Sequence, residues 1–171
     1  MTTATRYGLL TGVALSSYTL LEFALGFHTT SPEIGQVSGY FSLLLPFVFI
    51  ITALWNHQNI TRRPLPWRDG IDTGFRIALI SGVLFTAFMA LYLAKINPQW
   101  IDLMVEWQRR QMILNGATDG QVSTFMAANE KRLALPGMIV MTLVSTVTTG
   151  VMITLLAVPA VRLLFRSNRP Q

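Results

Sequence analysis

One acid stands in a stretch that otherwise has no charge. Glu22 is the single charged residue between Tyr7 and Phe27. On insertion scales a charged side chain at the centre of a membrane helix costs about 2.5–3.5 kcal/mol, and such a group marks an ion or solute path or a pair inside a bundle. Glu22 lies well toward the end of its stretch, so a simpler use of the position is to reach water at the membrane face. Tyr18, one turn earlier, is placed to hydrogen-bond it. We expect Glu22 to face the bundle and pair with a polar group there. A second pattern is a hydroxyl stripe: Thr142, Ser145, Thr146 and Thr149 recur at i, i+3, i+4 and i+7. Hydroxyls so spaced either bond back to their own helix and pack against a neighbour, or line a solute path.

Other chemistries are excluded by what is missing. The chain has no cysteine, hence no disulfide, thiolate metal site or thiol nucleophile. Its two histidines, His28 and His57, fall on opposite sides of the expected membrane, which argues against a histidine metal cluster. No HExxH, phosphate-binding loop or Ser-His-acid set is present. Asp69 and Asp72 sit beside Arg68 and Arg76, where ion pairing and helix capping are their expected work. We expect no enzyme activity, no cofactor and no metal.

The elements that carry these residues are apolar helices. Of 171 residues, 51% are hydrophobic and 12% charged, against roughly 25% charged in soluble domains. The stretch between Arg76 and Lys95 organises the rest. At ~1.5 Å per residue it is about 27 Å long, close to the ~30 Å hydrocarbon core. Gly74, Ala78, Gly82, Thr86, Ala90 and Ala94 recur along it every fourth residue. That ladder makes one smooth face for close approach of another helix, a second copy or a lipid. Gly8, Gly12 and Ser16 repeat the spacing and are expected to face the ladder.

The expected fold is all-α: a single domain, 1–171, forming an integral membrane four-helix bundle with spans at about 7–27, 37–55, 76–95 and 137–158. Ser31-Pro32-Glu33 reads as a helix start, and Pro46 inside the second span predicts a kink. Residues Asn56–Ile71 read as a loop carrying Arg62, Arg63 and Arg68, broken by Pro64 and Pro66. Between the third and fourth spans, about 98–133, two amphipathic helices are expected. Trp100, Leu103, Met104, Trp107 and Leu114 form the apolar side of the first, with Glu106 four residues before Arg110. Asn115-Gly116 ends it, and Thr118 with Gln121 makes a capping box for the second, whose apolar side is Val122, Phe125, Met126 and Leu133.

Basic residues orient the chain. Arg6, Arg62, Arg63, Arg68, Arg76, Arg162, Arg166 and Arg169 fall on one side, while the first connecting loop has no Lys or Arg. The long third loop has Lys95, Arg109, Arg110, Lys131 and Arg132, but acids accompany them, and long translocated segments count less. Both termini are therefore expected in the cytoplasm of a bacterial inner membrane. Trp55 and Trp67 are then expected anchors at the inner interface, and Tyr40, Tyr92, Trp100 and Trp107 at the outer one. The net charge of +5 is explained by this topology and not by nucleic acid.

In layout and in several short motifs the chain resembles a bacterial family of small four-span membrane proteins catalogued as a domain of unknown function. The motifs are Gly39-Tyr40-Phe41-Ser42, the run Asp69-Gly70-Ile71-Asp72-Thr73-Gly74-Phe75-Arg76, Tyr92 with Ile96-Asn97-Pro98, and Leu135-Pro136-Gly137. Asn56-His57-Gln58 stands where a basic-aromatic pair is often found in that family. The resemblance implies a fold and a membrane address; it brings no catalytic residues. A sensing role at the membrane surface through the basic inner loop has only four arginines behind it, and two other functions remain open at this point. One is a non-catalytic accessory or assembly subunit of a larger membrane complex. The other is a small transporter or lipid-handling protein using Glu22 and the hydroxyl face of the fourth span. Membrane lipids are expected partners in either case, with other subunits or a second copy as further ones.

Overall fold

A computed structural model describes residues 1–61 and 65–167, apart from the side chains of 130, 131, 133 and 165–167. Arg62, Arg63 and Arg169 lie outside the described residues, as do the side chains of Lys131, Leu133 and Arg166. The described residues form helices α1 (Thr3–Ala24), α2 (Pro32–Phe41), α3 (Leu44–Thr61), α4 (Trp67–Leu91), α5 (Trp100–Leu114), α6 (Asp119–Leu133) and α7 (Leu135–Ser167). A π-helical turn, Tyr92–Ile96, extends α4. Among these residues there is no strand. Three helical stretches are long and apolar enough to cross a membrane: Pro32–Thr61 taken through its break, Trp67–Ile96 and Leu135–Leu164. The protein is therefore membrane-embedded. Helix α1 is not among the three; its hydroxyls and Glu22 dilute its apolar character.

Each helix departs from its expected bounds for a local reason. The first starts at Thr3, where the Thr2 hydroxyl accepts the Thr5 N–H at 3.2 Å, and ends at Ala24 rather than Phe27. Gly26 adopts φ +80°, a left-handed conformation that glycine takes freely, and the amides of Gly26 and Phe27 bond back to Phe23 and Glu22. The expected second span, 37–55, is two helices. Pro46 has no N–H to give to the Ser42 carbonyl, and the break falls there, at Ser42–Leu43, with Leu45 N–H bonding Ser42 instead. α2 begins as expected, at Pro32 after Ser31, although the Ser31 hydroxyl makes no capping bond.

The expected loop Asn56–Ile71 is largely helix. Residues through Thr61 belong to α3, and α4 begins at Trp67, ahead of the expected Arg76. α7 likewise runs past the expected end at Val158, through Pro159. Both extensions follow from packing. Ala4, Ile50, Ala53, Leu54, Leu65, Ile77, Ala157, Val158 and Val161 form one buried cluster. It unites the first turn of α1, the α3–α4 connection and the last turns of α7 at one end of the bundle. The Arg162 guanidinium lies 5.6 Å from the Trp67 ring there, and Trp55 packs against the same cluster.

α4 is the central helix, packed on α7 along one side and on α1 along another. Its ladder faces α7: a Cβ on Gly74 would overlap the Thr154 side chain, one on Gly150 would overlap Ala78, and one on Gly82 would meet Val147. Thr154, buried, returns its hydroxyl to the Gly150 carbonyl at 2.7 Å. Thr86 and Ala90 are half-buried on that course, while the π-helical turn carries Ala94 into an exposed position. The expectation that Gly8 and Gly12 face the ladder is corrected. They receive Ile80 and Leu84 from a different side of α4, bulky residues set into the space that glycine leaves.

Two helices occupy the expected 98–133 insert. In α5 Trp100, Met104 and Trp107 are half-buried, but Leu103 and Leu114 are exposed, so the turned-in side is narrower than expected. Arg110 and Glu106 pair at 3.1 Å. Gly116, at φ +84°, closes α5. Thr118 and Gln121 make the capping box: the Thr118 N–H bonds the Gln121 amide oxygen at 2.8 Å and the Thr118 hydroxyl accepts the Gln121 N–H at 3.4 Å. Val122 is buried, Met126 half-buried and Phe125 exposed.

Candidate ligand cavity at Glu22 and His28

The Gly26 turn at the end of α1 folds the chain back and sets His28 over Glu22. The Glu22 side chain is more than nine-tenths buried, and its Oε2 lies 3.4 Å from His28 Nε2. His28 Nδ1 is 2.7 Å from the Tyr92 hydroxyl. That hydroxyl also accepts from the Asn97 side-chain amide at 3.1 Å. With one lone pair taken by Asn97, the Tyr92 O–H is free to donate to His28 Nδ1. The imidazole proton then sits on Nε2, aimed at the carboxylate. Burial holds the His28 pKa below its usual value, and the nearby Glu22 charge only partly offsets this.

Tyr92 and Asn97 can both reach the cluster because of the π-helical turn. It inserts an extra residue, closes with an Asn97 N–H to Tyr92 carbonyl bond of 2.8 Å, and brings both side chains to one side. Tyr92 is fully buried and Asn97 nearly so. Around them Met89 and Leu93 pack with Phe23, Phe85, Phe88 and Trp100. This is the opposite end of the bundle from the Ala4–Val161 cluster.

Beside the network lies a cavity of about 380 Å³. Glu22 and His28 are its ionisable lining residues. Leu15, Leu43, Pro46, Phe85 and Met89 give it apolar walls, and Ser145, Thr146 and Thr149 line its α7 side. Thus two expectations made separately, the buried acid and the hydroxyl stripe, meet in one space. Thr142 is the exception: it lines a separate hollow beside Gln108, Arg132 and Ser145, and its hydroxyl returns to the Met138 carbonyl at 2.8 Å. Glu22 Oε1 and the Trp100 indole nitrogen are buried with no hydrogen-bond partner among the described residues. Trp100 thus turns inward, with its ring 6.0 Å from that of His28. Trp107 has its indole nitrogen buried as well.

Tyr18 does not bond Glu22, as the sequence led us to expect. Its hydroxyl donates to the Ser38 carbonyl at 3.0 Å and meets the Ser38 hydroxyl at 2.7 Å, tying α1 to α2. His28, Tyr92 and Asn97 carry no sequence signal that links them to Glu22, apart from one at His28. Its position two residues after a glycine that can end a helix was the available signal. Asp72 pairs with Arg76 at 2.9 Å on the exposed side of α4, and Asp69 lies in its first turn.

The comparisons with known proteins assign no role. No curated protein and no solved structure matches the chain. Residues 6–158 match the model of a family described as protein of unknown function (DUF4199). That match takes in every helix up to the middle of α7, and the chain belongs to this family.

Proposed function

We propose that this protein is a non-enzymatic, four-span protein of the bacterial cytoplasmic membrane that holds a small solute or lipid in the cavity beside Glu22. The observation that carries the reading is a carboxyl group buried in an apolar helix bundle, one oxygen without a partner, on a space large enough for a ligand. α1 is the fourth span. Its outward face, with Leu9, Leu10, Val13, Leu20 and Leu21, is apolar and exposed, which suits lipid and not water. Both termini are cytoplasmic by the distribution of arginines, which places the cavity in the outer half of the bilayer, beneath α5.

Purification in mild detergent followed by native mass spectrometry tests this. A homogeneous species carrying a small bound molecule, lost when Thr146→Phe fills the cavity, is the expected result. A ligand-free chain that copurifies in fixed stoichiometry with a larger membrane complex overturns it in favour of an accessory-subunit role. That second role has one observation behind it: α2 has no buried residue and exposes Ile34, Val37, Tyr40 and Phe41 near the membrane face.

A further inference from the structure

We propose that the cavity takes a small amphiphile whose polar end is a protonated amine, seated on Glu22, and whose apolar part lies between α1, α3 and α7. This rests on the cavity being a ligand site at all.

The lining has one sign of charge. Glu22 is the acid, and neither Lys nor Arg is among the described lining residues. His28 Nε2 stands 3.4 Å from Oε2, so the one group placed against the acid is an imidazole and not a Lys or Arg side chain. Oε1 has no hydrogen-bond donor among the described residues. A buried carboxylate oxygen without a donor is costly to maintain, and an ammonium supplies both the missing hydrogen bond and the missing charge. A carboxylate or phosphate head would meet like charge, and a plain hydroxyl would supply the bond without the charge. Phe85 and Trp100 on the wall offer aromatic surface to a cation as well.

Away from Glu22 the lining is apolar at Leu15, Leu43, Pro46 and Met89, small at Gly35 and Gly39, and hydroxyl-bearing at Ser145, Thr146 and Thr149 on α7. Helix α2 carries both glycines, and nothing lies within 4 Å of where a Gly39 side chain would start. The break at Ser42–Leu43 and the small residues of α2 leave that side of the cavity thinly walled. At about 380 Å³ the cavity is at the small end of ligand sites. It admits a short single chain and not a whole two-chain lipid.

Octylamine, octanol and octanoate share a tail and differ in the head. Each is titrated at pH 7 into the full chain in phosphatidylcholine nanodiscs, with empty nanodiscs as blank, and binding is followed by tryptophan fluorescence, since Trp100 lines the site. Octylamine should bind at least about tenfold more tightly than octanol, with octanoate weakest. Glu22→Gln should bring octylamine down to octanol, and Thr146→Phe should weaken all three. Equal binding of the three heads, or a preference for octanoate, overturns the amine assignment and leaves the cavity reading standing. No saturable binding of any of them overturns both. The comparison of heads on the unaltered protein needs neither variant to fold.

Discussion

Glu22 Oε2 and His28 Nε2 stand 3.4 Å apart because a left-handed glycine between them reverses the chain within one turn of the helix end. The acid thereby faces an imidazole ring and not a Lys or Arg side chain. This defines a pH dependence. His28 has a depressed pKa when folded and about 6.5 when unfolded. The unfolded state therefore binds the proton more readily. Its contribution to stability is complete above about pH 6.5 and is lost as pH falls through the lower folded value. Thermal unfolding in nanodiscs between pH 8 and pH 5 should show a midpoint that drops on the acid side. The drop should be smaller in His28→Asn, which cannot titrate. An acid limb of equal size in both proteins would place the titrating group elsewhere.

Tyr92 is the hinge of the network, accepting from Asn97 and donating to His28. Tyr92→Phe keeps the ring among Phe23, Phe88 and Met89 but removes the hydroxyl. It leaves His28 Nδ1 without its donor and deprives the Asn97 amide of its shorter bond, its contact with the His28 carbonyl being at 3.5 Å. The expected loss is about 1–3 kcal/mol, the usual result of stranding a buried polar group. Denaturant unfolding in mixed micelles would measure it. A change under ~0.5 kcal/mol would show that water enters the site and takes over the bonds.

The face between α4 and α7 is the tightest in the bundle, and Gly74 is its narrowest point. Gly74→Ala places a methyl against the Thr154 side chain, which is itself held by its bond to Gly150. Overpacking there should cost about 1–3 kcal/mol. Gly120→Ala is the control. It lies in the first turn of α6 with nothing within 4 Å, so it should be neutral or gain up to ~1 kcal/mol from helix propensity. If both substitutions proved equal, close approach would not be what joins these helices.

The ladder itself was plain in the sequence, since a period of four needs no knowledge of the partner. Its partner was not. Gly8 and Gly12 had the same spacing and were paired with the ladder by similarity, whereas Thr154 and Gly150 fit it by shape. Pro46 announced a break, but the direction was set by the carbonyl it leaves without a donor, that of Ser42. Glu22 was legible because charge in hydrocarbon is conspicuous. Its companions were not: His28, Tyr92 and Asn97 are brought to it by a glycine turn and a π-helical insertion, and neither follows from apolar periodicity.

Topology gives the last prediction, and the absence of cysteine makes it clean. A single cysteine introduced at Gly120 in α6, or at Thr2 before α1, is the sole thiol for a maleimide that cannot cross membranes. The bundle puts Ala4 and Val161 in one cluster and Trp100 at the other end, so these probes report opposite faces. With both termini cytoplasmic, the cysteine in Gly120→Cys should label in intact cells from outside, and that in Thr2→Cys only after the membrane is opened. A third probe at Leu163, exposed near the end of α7, should behave like Thr2. Labelling of Thr2→Cys and Leu163→Cys from opposite sides would mean an odd number of crossings. Since three helices already qualify by length and hydropathy, α1 would then lie outside the bilayer, and Glu22 would be a surface acid and not the floor of a membrane cavity.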